Sequence, residues 1–278
     1  MPKLVANRYG KGRVRVLKIL RDGSTHRLKD LNVTAMLEGE LESSYTASDN
    51  SKVVPTDTIK NTINALAKKH LGDEIERFGL ALGKHFLRFP QIRQATIEIL
   101  EHDWHRLDVN GKPHPHSFRS GGDARMFTRV ISDRKNQSVQ SGIRDLIILK
   151  STQSGFAEFP RDEFTTLKET SDRILGTSFS ATWNFASDPG DYRVANNAIM
   201  TAMLEVFAEN YSPSAQATLF QMGEAALGVC AEVALINLVM PNKHCLLIDL
   251  SPFGLENKNE VFVPTDEPHG QIEATVAR

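Results

Sequence analysis

Residues 53–61 (VVPTDTIKN) place a hydroxyl and a carboxylate where an extended segment turns into a helix. Thr56 and Asp57 are good N-cap residues, because a short side-chain oxygen can accept hydrogen bonds from the free N–H groups of the first turn. Behind them, Ile59 and Ile63 recur at helical spacing. Free N–H groups also attract anionic or electron-rich ligands. The stretch therefore predicts a helix start that is either a plain cap or a ligand site.

Motifs for cofactor chemistry are weak or missing. The sequence has neither G-x-x-x-x-G-K-[ST] nor G-x-G-x-x-G. The GKG at residues 10–12 has the wrong spacing for a phosphate loop, which favours a flexible start of the first strand. In isolation, Arg173 could simply pair with Asp172 or Glu169, and Gln216 in a first helical turn is unremarkable.

Four histidines are candidates for metal ligands. His102, His105, His114 and His116 are accompanied by no C-x-x-C or H-E-x-x-H motif, so structural or surface roles are favoured. The PNKH at residues 241–244 is typical of a polar turn between two apolar strands. No metal ligand is therefore predicted.

Hydrophobic periodicity predicts the elements that must position these side chains. In the first half, we predict strands over 13–20, 32–46, 92–104 and 116–131, and helices over 56–70 and 73–87. In the second half, we predict a buried strand ending at 146–149, a strand over 177–186, helices over 191–209 and 212–229, and strands over 233–240 and 245–250. In the 177–186 strand, four alternating apolar residues face one way: Phe179, Ala181, Trp183 and Phe185.

Both halves thus follow the order strand–strand–helix–helix–strand–strand. This order predicts an α+β protein with two domains, 1–137 and 138–278, on either side of the polar stretch 133–137. Each domain is expected to be a four-stranded antiparallel sheet with two helices on one face. Because such sheets have open edges, we expect several copies to close into a homo-oligomer.

Composition excludes several functional classes. Among 278 residues, 33 Lys and Arg balance 34 Asp and Glu, so nothing favours nucleic-acid binding. Cys230 and Cys245 lie in apolar contexts without an activating base, which favours reduced core residues in a cytosolic protein. The charged first residues argue against a secretory signal, and no stretch is apolar enough to predict a membrane span.

Several strings, taken in order, resemble the urate oxidase (uricase) family along nearly the whole chain. They are YGKGRVRVLKI (9–19), VPTDTIKNTINALAK (54–68), GKPHPHSF (111–118), LKSTQSGFAEFPRDEFTTLKETSDRIL (149–175), SAQATLFQM (214–222) and PNKHCLLIDL (241–250). The resemblance implies two tandem tunnelling-fold domains and a homotetramer with active sites at subunit interfaces. It also implies oxidation of urate by dioxygen and water to 5-hydroxyisourate and hydrogen peroxide, with no metal or organic cofactor.

The resemblance also assigns the residues that bind urate. Arg173 matches the family's clamp arginine, whose planar guanidinium can grip a carbonyl and an adjacent ring nitrogen. Gln216 matches the clamp glutamine, which can donate to one carbonyl and accept from the neighbouring N–H. Phe156 matches the residue that stacks on the purine, and Leu167 matches an apolar wall. Ala215 stands where a larger branched residue is expected, and its family contact is through the main chain.

The same resemblance implies a proton relay of Lys11, Thr56 and His244. The Thr56 hydroxyl passes a proton between the ligand and the Lys11 amine, which His244 tunes. Asn242 and Thr56 match the pair that holds dioxygen or water above the ring, and the backbone N–H of Asp57 is expected to contact urate. A C-terminal Ser-Lys-Leu is missing from the sequence, from which we expect a bacterial, cytoplasmic enzyme.

Two other functional classes stay open at this point. One is a zinc-dependent pterin or purine enzyme of the same fold, which would use the histidines. The other is a ligand-binding or structural ring without turnover.

Overall fold

The computed structural model describes residues 2–278. The protein is α+β, as the order of elements predicts, and its sheet is mostly antiparallel. The chain forms two compact units. The first contains the residues up to Gly142 together with Asn184–Val194, and the second contains Ile143–Trp183 and Ala195–Arg278. Within residues 2–278, no helix combines the length and the apolar character needed to cross a membrane.

The first unit is built on four antiparallel strands in the order β1-β2-β3-β4. Its elements are β1 (Tyr9–Asp22), β2 (Thr25–Gly39), α1 (Glu42–Thr46), α2 (Thr56–His70), α3 (Ile75–Phe86), β3 (Ile92–Val109) and β4 (Lys112–Asp133). Helices α2 and α3 pack against this sheet and against each other.

The core of the first unit follows the predicted periodicities. Strand β2 turns alternate apolar side chains inwards, and α2 and α3 each bury one stripe. The side chains with no solvent exposure include Leu31, Val33, Leu37, Ile59, Ile63, Phe78, Leu82 and Phe86. Burying one such side chain stabilises the fold by roughly 1.5–3 kcal/mol, so this shared core holds α2 firmly on the sheet.

The second predicted strand, over 32–46, is wrong at its end. Strand β2 stops at Gly39, where the pairing with β3 shifts register, and Glu42–Thr46 form the short helix α1. The physical reason lies at Gly39, because a Cβ there would lie 2.0 Å from the carbonyl oxygen of Gln91. This close backbone approach ends the regular ladder. The alternation of Glu38, Glu40 and Glu42 in the sequence favours a longer strand and does not reveal it.

The second unit contains most of the remaining elements. They are β5 (Gln137–Lys150, which begins in the first unit), β6 (Leu175–Phe185, whose last two residues belong to the first unit), α4 (Tyr192–Glu209, which begins in the first unit), α5 (Ala215–Val229), β7 (Val233–Val239), β8 (Asn242–Leu247), β9 (Phe262–Gly270) and β10 (Glu273–Ala277). The order is β5-β6-β7-β10, and β8 pairs with both β6 and β9. Helix α5 packs against β7 and β10.

Several predictions for this half are confirmed and others are wrong. The four alternating apolar residues of β6 are all buried. The run 146–149 is a strand but not a buried one, since Ile147 is 61% and Leu149 is 55% exposed. Helix α5 begins at Ala215 rather than at Ser212, because Ser214 is the N-cap residue and accepts from the N–H of Ala217.

A buried tyrosine should make the protein lose stability at high pH. Burial raises the pKa of Tyr192 to about 12, and the negative charge of Asp188 adds to the shift. The folded state therefore keeps this proton after the unfolded chain has lost it near pH 10. The contribution of Tyr192 to stability is complete below pH 10 and is lost between about pH 10 and 12.

We expect this loss to reach about 1–2 kcal/mol after allowance for solvent screening. The variant Tyr192→Phe should flatten the fall in unfolding free energy between pH 10 and 12, because Phe keeps the edge-on ring contact with Phe185 but carries no ionisable group. Urea unfolding at several pH values measures this, with the exposed Tyr45→Phe as control. An unchanged alkaline slope in Tyr192→Phe would show that other groups cause the loss.

Candidate active site

Helix α2 begins at Thr56, as predicted, but not by the predicted capping. Pro55 occupies the N-cap position, and no side chain caps the first turn. Asp57 instead accepts hydrogen bonds from Lys60 at 2.5 Å and from Asn61 at 2.9 Å. Thr56 and Asp57 are both exposed. The helix start thus leaves the backbone N–H groups of its first turn without a side-chain cap, next to an exposed hydroxyl.

Lys11 lies within electrostatic reach of this helix start. The pKa of Asp57 is held below its usual value, chiefly by the hydrogen bond and charge of Lys60 and also by the positive charge of Lys11. The structure therefore brings Lys11 and the Thr56–Asp57 pair together within the first unit, although they are far apart in sequence.

A β-bulge in β1 sets the direction of Lys11. Lys11 pairs with Ala35 of β2 and Val14 pairs with Val33, so β1 carries one residue more than β2 over this interval. Because side chains alternate along a strand, Lys11 and Val14 would face opposite ways in a regular ladder. The bulge turns both towards the helix-covered face. Arg13 takes a left-handed backbone (φ 54°) within it.

In the second unit, Phe156 and Arg173 are neighbours. Two backbone hydrogen bonds join Phe156 to Thr170, with N···O distances of 2.7 and 3.0 Å, and the Arg173 N–H donates to the Ser154 carbonyl at 2.8 Å. These bonds hold the Arg173 guanidinium carbon 5.3 Å from the centroid of the Phe156 ring. The ring of Phe159 stacks on Phe156 at 5.0 Å.

Arg173 is not paired with the acidic residues that stand near it in sequence. The Asp172 carboxylate accepts from the Thr152 hydroxyl at 2.8 Å, and Glu169 lies 3.8 Å from Arg161. The Nε of Arg173 is buried and has no hydrogen-bond partner within residues 2–278. Burial lowers the pKa of Arg173. A buried donor without a partner is costly, so this arginine has capacity to bind a ligand.

The start of α5 presents Gln216. Ala215, in the first position of the helix, is 4% exposed, whereas Gln216 in the second position is exposed. The Ser214 cap leaves the Gln216 side chain uninvolved in holding the helix start. Leu167 is 54% exposed on the segment between β5 and β6.

Asn242 and His244 lie in β8 and not in a polar turn, so the prediction for residues 241–244 is wrong. Asn242 pairs with Thr177 of β6 and with Gly270 of β9, and a shift in the β8–β9 register separates it from His244. The Lys243 ammonium between them forms an ion pair with Asp266. These contacts fix the backbone of the strand and leave the His244 side chain exposed.

The predicted site residues are divided between the two units. The first unit carries Lys11, Thr56 and Asp57, and the second carries Phe156, Leu167, Arg173, Ala215, Gln216, Asn242 and His244. Within the units, two groupings are clear from contacts and charges: Lys11 with Asp57, and Phe156 with Arg173.

The histidines that a zinc-dependent enzyme would use contact other side chains of the protein. His102 Nε2 lies 2.5 Å from an Arg15 nitrogen and 3.1 Å from the Asn32 amide nitrogen, and His105 pairs with Asp103 at 2.9 Å. Over residues 2–278, no group of three or more His, Cys, Asp or Glu side chains is arranged to hold a metal ion.

Sequence reasoning missed Tyr211. Its hydroxyl donates to the Ser171 carbonyl at 3.0 Å, and it lies close enough to Arg173 to affect the pKa of that group. A cavity of about 410 Å³ opens beside Phe156; its lining includes Glu158, Glu169, Thr170, Tyr211 and Pro213. No sequence signal marks Tyr211, because it stands in a loop whose course is set by pairing with distant segments.

Comparison with known proteins gives one consistent family. The sequence profile described as Uricase matches residues 7–131 and 139–273. The uricase of Dictyostelium discoideum is 39% identical over 282 residues, which cover 100% of this chain and 98% of the relative. The uricase of Aspergillus flavus is 41% identical over 295 residues, with coverages of 100% and 98%.

Solved structures agree with the sequence comparison. The crystal structure of uricase from Arthrobacter globiformis superposes with a TM-score of 0.93 at 39% identity, covering 100% of this chain and 96% of the other. A uricase from Bacillus fastidious superposes with a TM-score of 0.86 at 23% identity, covering 98% and 94%, and supports the fold alone.

Proposed function

The chain belongs to the uricase family, and from this premise we propose that it oxidises urate with dioxygen and water to 5-hydroxyisourate and hydrogen peroxide. The reaction needs no metal or organic cofactor in this proposal. Urate loses two electrons and two protons to dioxygen, which becomes hydrogen peroxide, and water supplies the new hydroxyl. The protein has to bind a flat anion, remove its protons and hold dioxygen above its ring.

The unpaired Arg173 is the observation that carries the proposal. Its buried Nε has no partner within residues 2–278, and its guanidinium lies beside the Phe156 ring. An arginine next to an aromatic ring suits a planar anion, because it offers parallel charge-assisted hydrogen bonds while the ring stacks on the ligand. Gln216 would complete the clamp by donating to one carbonyl of urate and accepting from an adjacent N–H. Ala215 would contribute a main-chain contact and Leu167 an apolar wall.

Lys11, Thr56 and His244 form the proposed proton relay. The Thr56 hydroxyl stands at an uncapped helix start, where the Asp57 N–H can also contact the anion. Lys11, turned towards this end of α2, would exchange a proton with Thr56, and His244 would tune Lys11. Asn242 and Thr56 would hold dioxygen, and later water, above the ring. Removing a second proton from urate makes it a better electron donor, which favours the slow first electron transfer to triplet dioxygen.

We also propose the assembly in which these groups act. The residues 1–137 and 138–278 would form two tandem tunnelling-fold domains, and four subunits would make a homotetramer with each active site at a subunit interface. Exposed apolar side chains on the strands support an assembly, because large apolar patches usually mark contact surfaces. They include Leu17, Ile147, Leu149 and Leu246, all at least 55% exposed.

An aerobic urate assay tests the proposed function. The protein is dialysed against a chelator, its metal content is measured, and urate absorbance and hydrogen peroxide are followed together. We expect urate to disappear with one equivalent of peroxide in metal-free protein. Activity that is lost with the metal and restored by zinc would favour the metal-dependent alternative, and stable absorbance without peroxide would favour a binding protein.

A further inference from the structure

Tyr9 ties the segment before α2 directly to β1. Its hydroxyl donates to the Val54 carbonyl at 3.1 Å and accepts from the Val54 N–H at 2.7 Å. Val54 is 3% exposed and stands two residues before Thr56, just as Tyr9 stands two residues before Lys11. One hydroxyl therefore connects the two chain segments that carry the lysine and the threonine of the proposed relay.

Tyr9 and Lys11 face the same side of β1. They are two residues apart in a continuous strand, and their partners Leu37 and Ala35 are both buried on the helix-covered face. Burial raises the pKa of Tyr9, and the hydrogen bond from Val54 acts in the opposite direction. The hydroxyl thus stays protonated at neutral pH and keeps both of its bonds.

Two further contacts hold the strand that carries Lys11, one to the end of α2 and one to β2. At the other end of the helix, the Lys18 ammonium donates to the carbonyls of Ala67 at 2.8 Å and Leu71 at 2.6 Å. In the bulge, the Arg13 N–H donates to the Thr34 hydroxyl at 3.1 Å. Strand β1 therefore holds α2 at both ends, and Tyr9 is the contact nearest to the reacting groups.

We propose that Tyr9 is a positioning residue that sets the separation of Lys11 and Thr56 through its two hydrogen bonds to Val54. The inference rests on the proposed function, because it assigns Tyr9 a role in the proton transfer between these two residues. Tyr9 itself touches neither urate nor dioxygen in this proposal. Its removal should slow the chemistry and leave the Arg173 clamp intact.

The first test is the variant Tyr9→Phe, which keeps the ring and removes only the hydroxyl. We expect kcat per binding-competent site to fall roughly 10- to 100-fold, because a displacement of about 1 Å in a catalytic group has an effect of this size. KM should change less than threefold. Competent sites are counted by titration with a non-reactive urate analogue, so unfolded protein does not enter the rate. Tyr45→Phe is the matched control. It also removes a single tyrosine hydroxyl, which donates to the carbonyl of Arg8, the residue before Tyr9, at 3.3 Å.

A double-mutant cycle with Thr56→Ala separates positioning from general loosening. If Tyr9 acts only through the Lys11–Thr56 contact, the double variant should be no slower than Thr56→Ala alone. The positioning role would be overturned if the losses in kcat of Tyr9→Phe and Thr56→Ala multiplied in the double variant. It would also be overturned if kcat were unchanged in Tyr9→Phe while the wild type was active. Either result would leave the proposed function standing. A wild type that does not consume urate would instead overturn the proposed function, and this inference with it.

Discussion

We expect Lys11→Met to lower kcat for urate by roughly two to four orders of magnitude, the range typical of losing a positioned general base. Met keeps the length and apolar stem of the side chain but cannot exchange a proton with Thr56. Urate binding should persist, because the proposed clamp consists of Arg173, Gln216 and Phe156. Steady-state kinetics, together with binding of a non-reactive urate analogue, separates the two effects.

Lys60→Met is the matched control for this experiment. Lys60 forms the 2.5 Å ion pair with Asp57 and contributes more than Lys11 to the low pKa of that carboxyl. The pair is exposed, so its loss should matter little. We expect kcat of Lys60→Met to stay within threefold of the wild type. Similar losses in both variants would mean that Lys11 acts through the charge around Asp57 and not through proton transfer.

We expect Arg173→Lys to weaken urate binding by roughly 10- to 150-fold, because hydrogen bonds to charged groups contribute about 1.5–3 kcal/mol. Lysine keeps the positive charge but loses the planar fork that can hold two acceptors in parallel. It would also lose the fixed position of the guanidinium beside the Phe156 ring. KM and the dissociation constant of a urate analogue should rise together, and kcat at saturating urate should fall less.

Arg161→Lys is a close structural control for that variant. The Arg161 guanidinium lies 5.0 Å from the centroid of the Phe159 ring, so both arginines contact aromatic rings. Arg161, however, stands near Glu169 and is not a proposed ligand residue. We expect its KM to be unchanged. Equal losses in the two variants would argue that aromatic contacts of this segment, and not ligand binding, explain the effect.

The sequence predicts those parts of the fold that carry a clear periodicity. Helix α2 has the predicted ends, 56 and 70, because apolar residues recur at helical spacing and Pro55 stops its extension. Strand β6 follows its alternation of buried aromatic and polar residues. In contrast, β9 and β10 were not predicted, since most of β9 is exposed and carries no apolar alternation. Such strands exist through pairing with β8 and β7, a non-local cause.

The candidate site was predictable only in pieces. The sequence predicts that a helix starts at Thr56, but not that its first turn lacks a side-chain cap. The Asp57 carboxylate does not cap the turn, because it accepts hydrogen bonds from Lys60 and Asn61. The neighbours Phe156 and Arg173 are joined by bonds to Thr170 and Ser154, which no local pattern reveals. The family resemblance assigns their roles, whereas no local pattern marks Tyr9 or Tyr211, because their partners Val54 and Ser171 are far along the chain.

The bulge in β1 also limits how the length of this segment can vary. Lys11 and Val14 point to the same face with two residues between them because one is absorbed by the bulge. Side chains alternate along a strand, so a chain with only one residue between this lysine and valine would place both on the same face without a bulge. A chain with no residue between them would turn the lysine to the opposite face. Natural variants with one residue between the lysine and the valine should remain active. Variants with none should fold but fail to turn over urate, so a change in residue count can disable the enzyme without altering any proposed catalytic side chain.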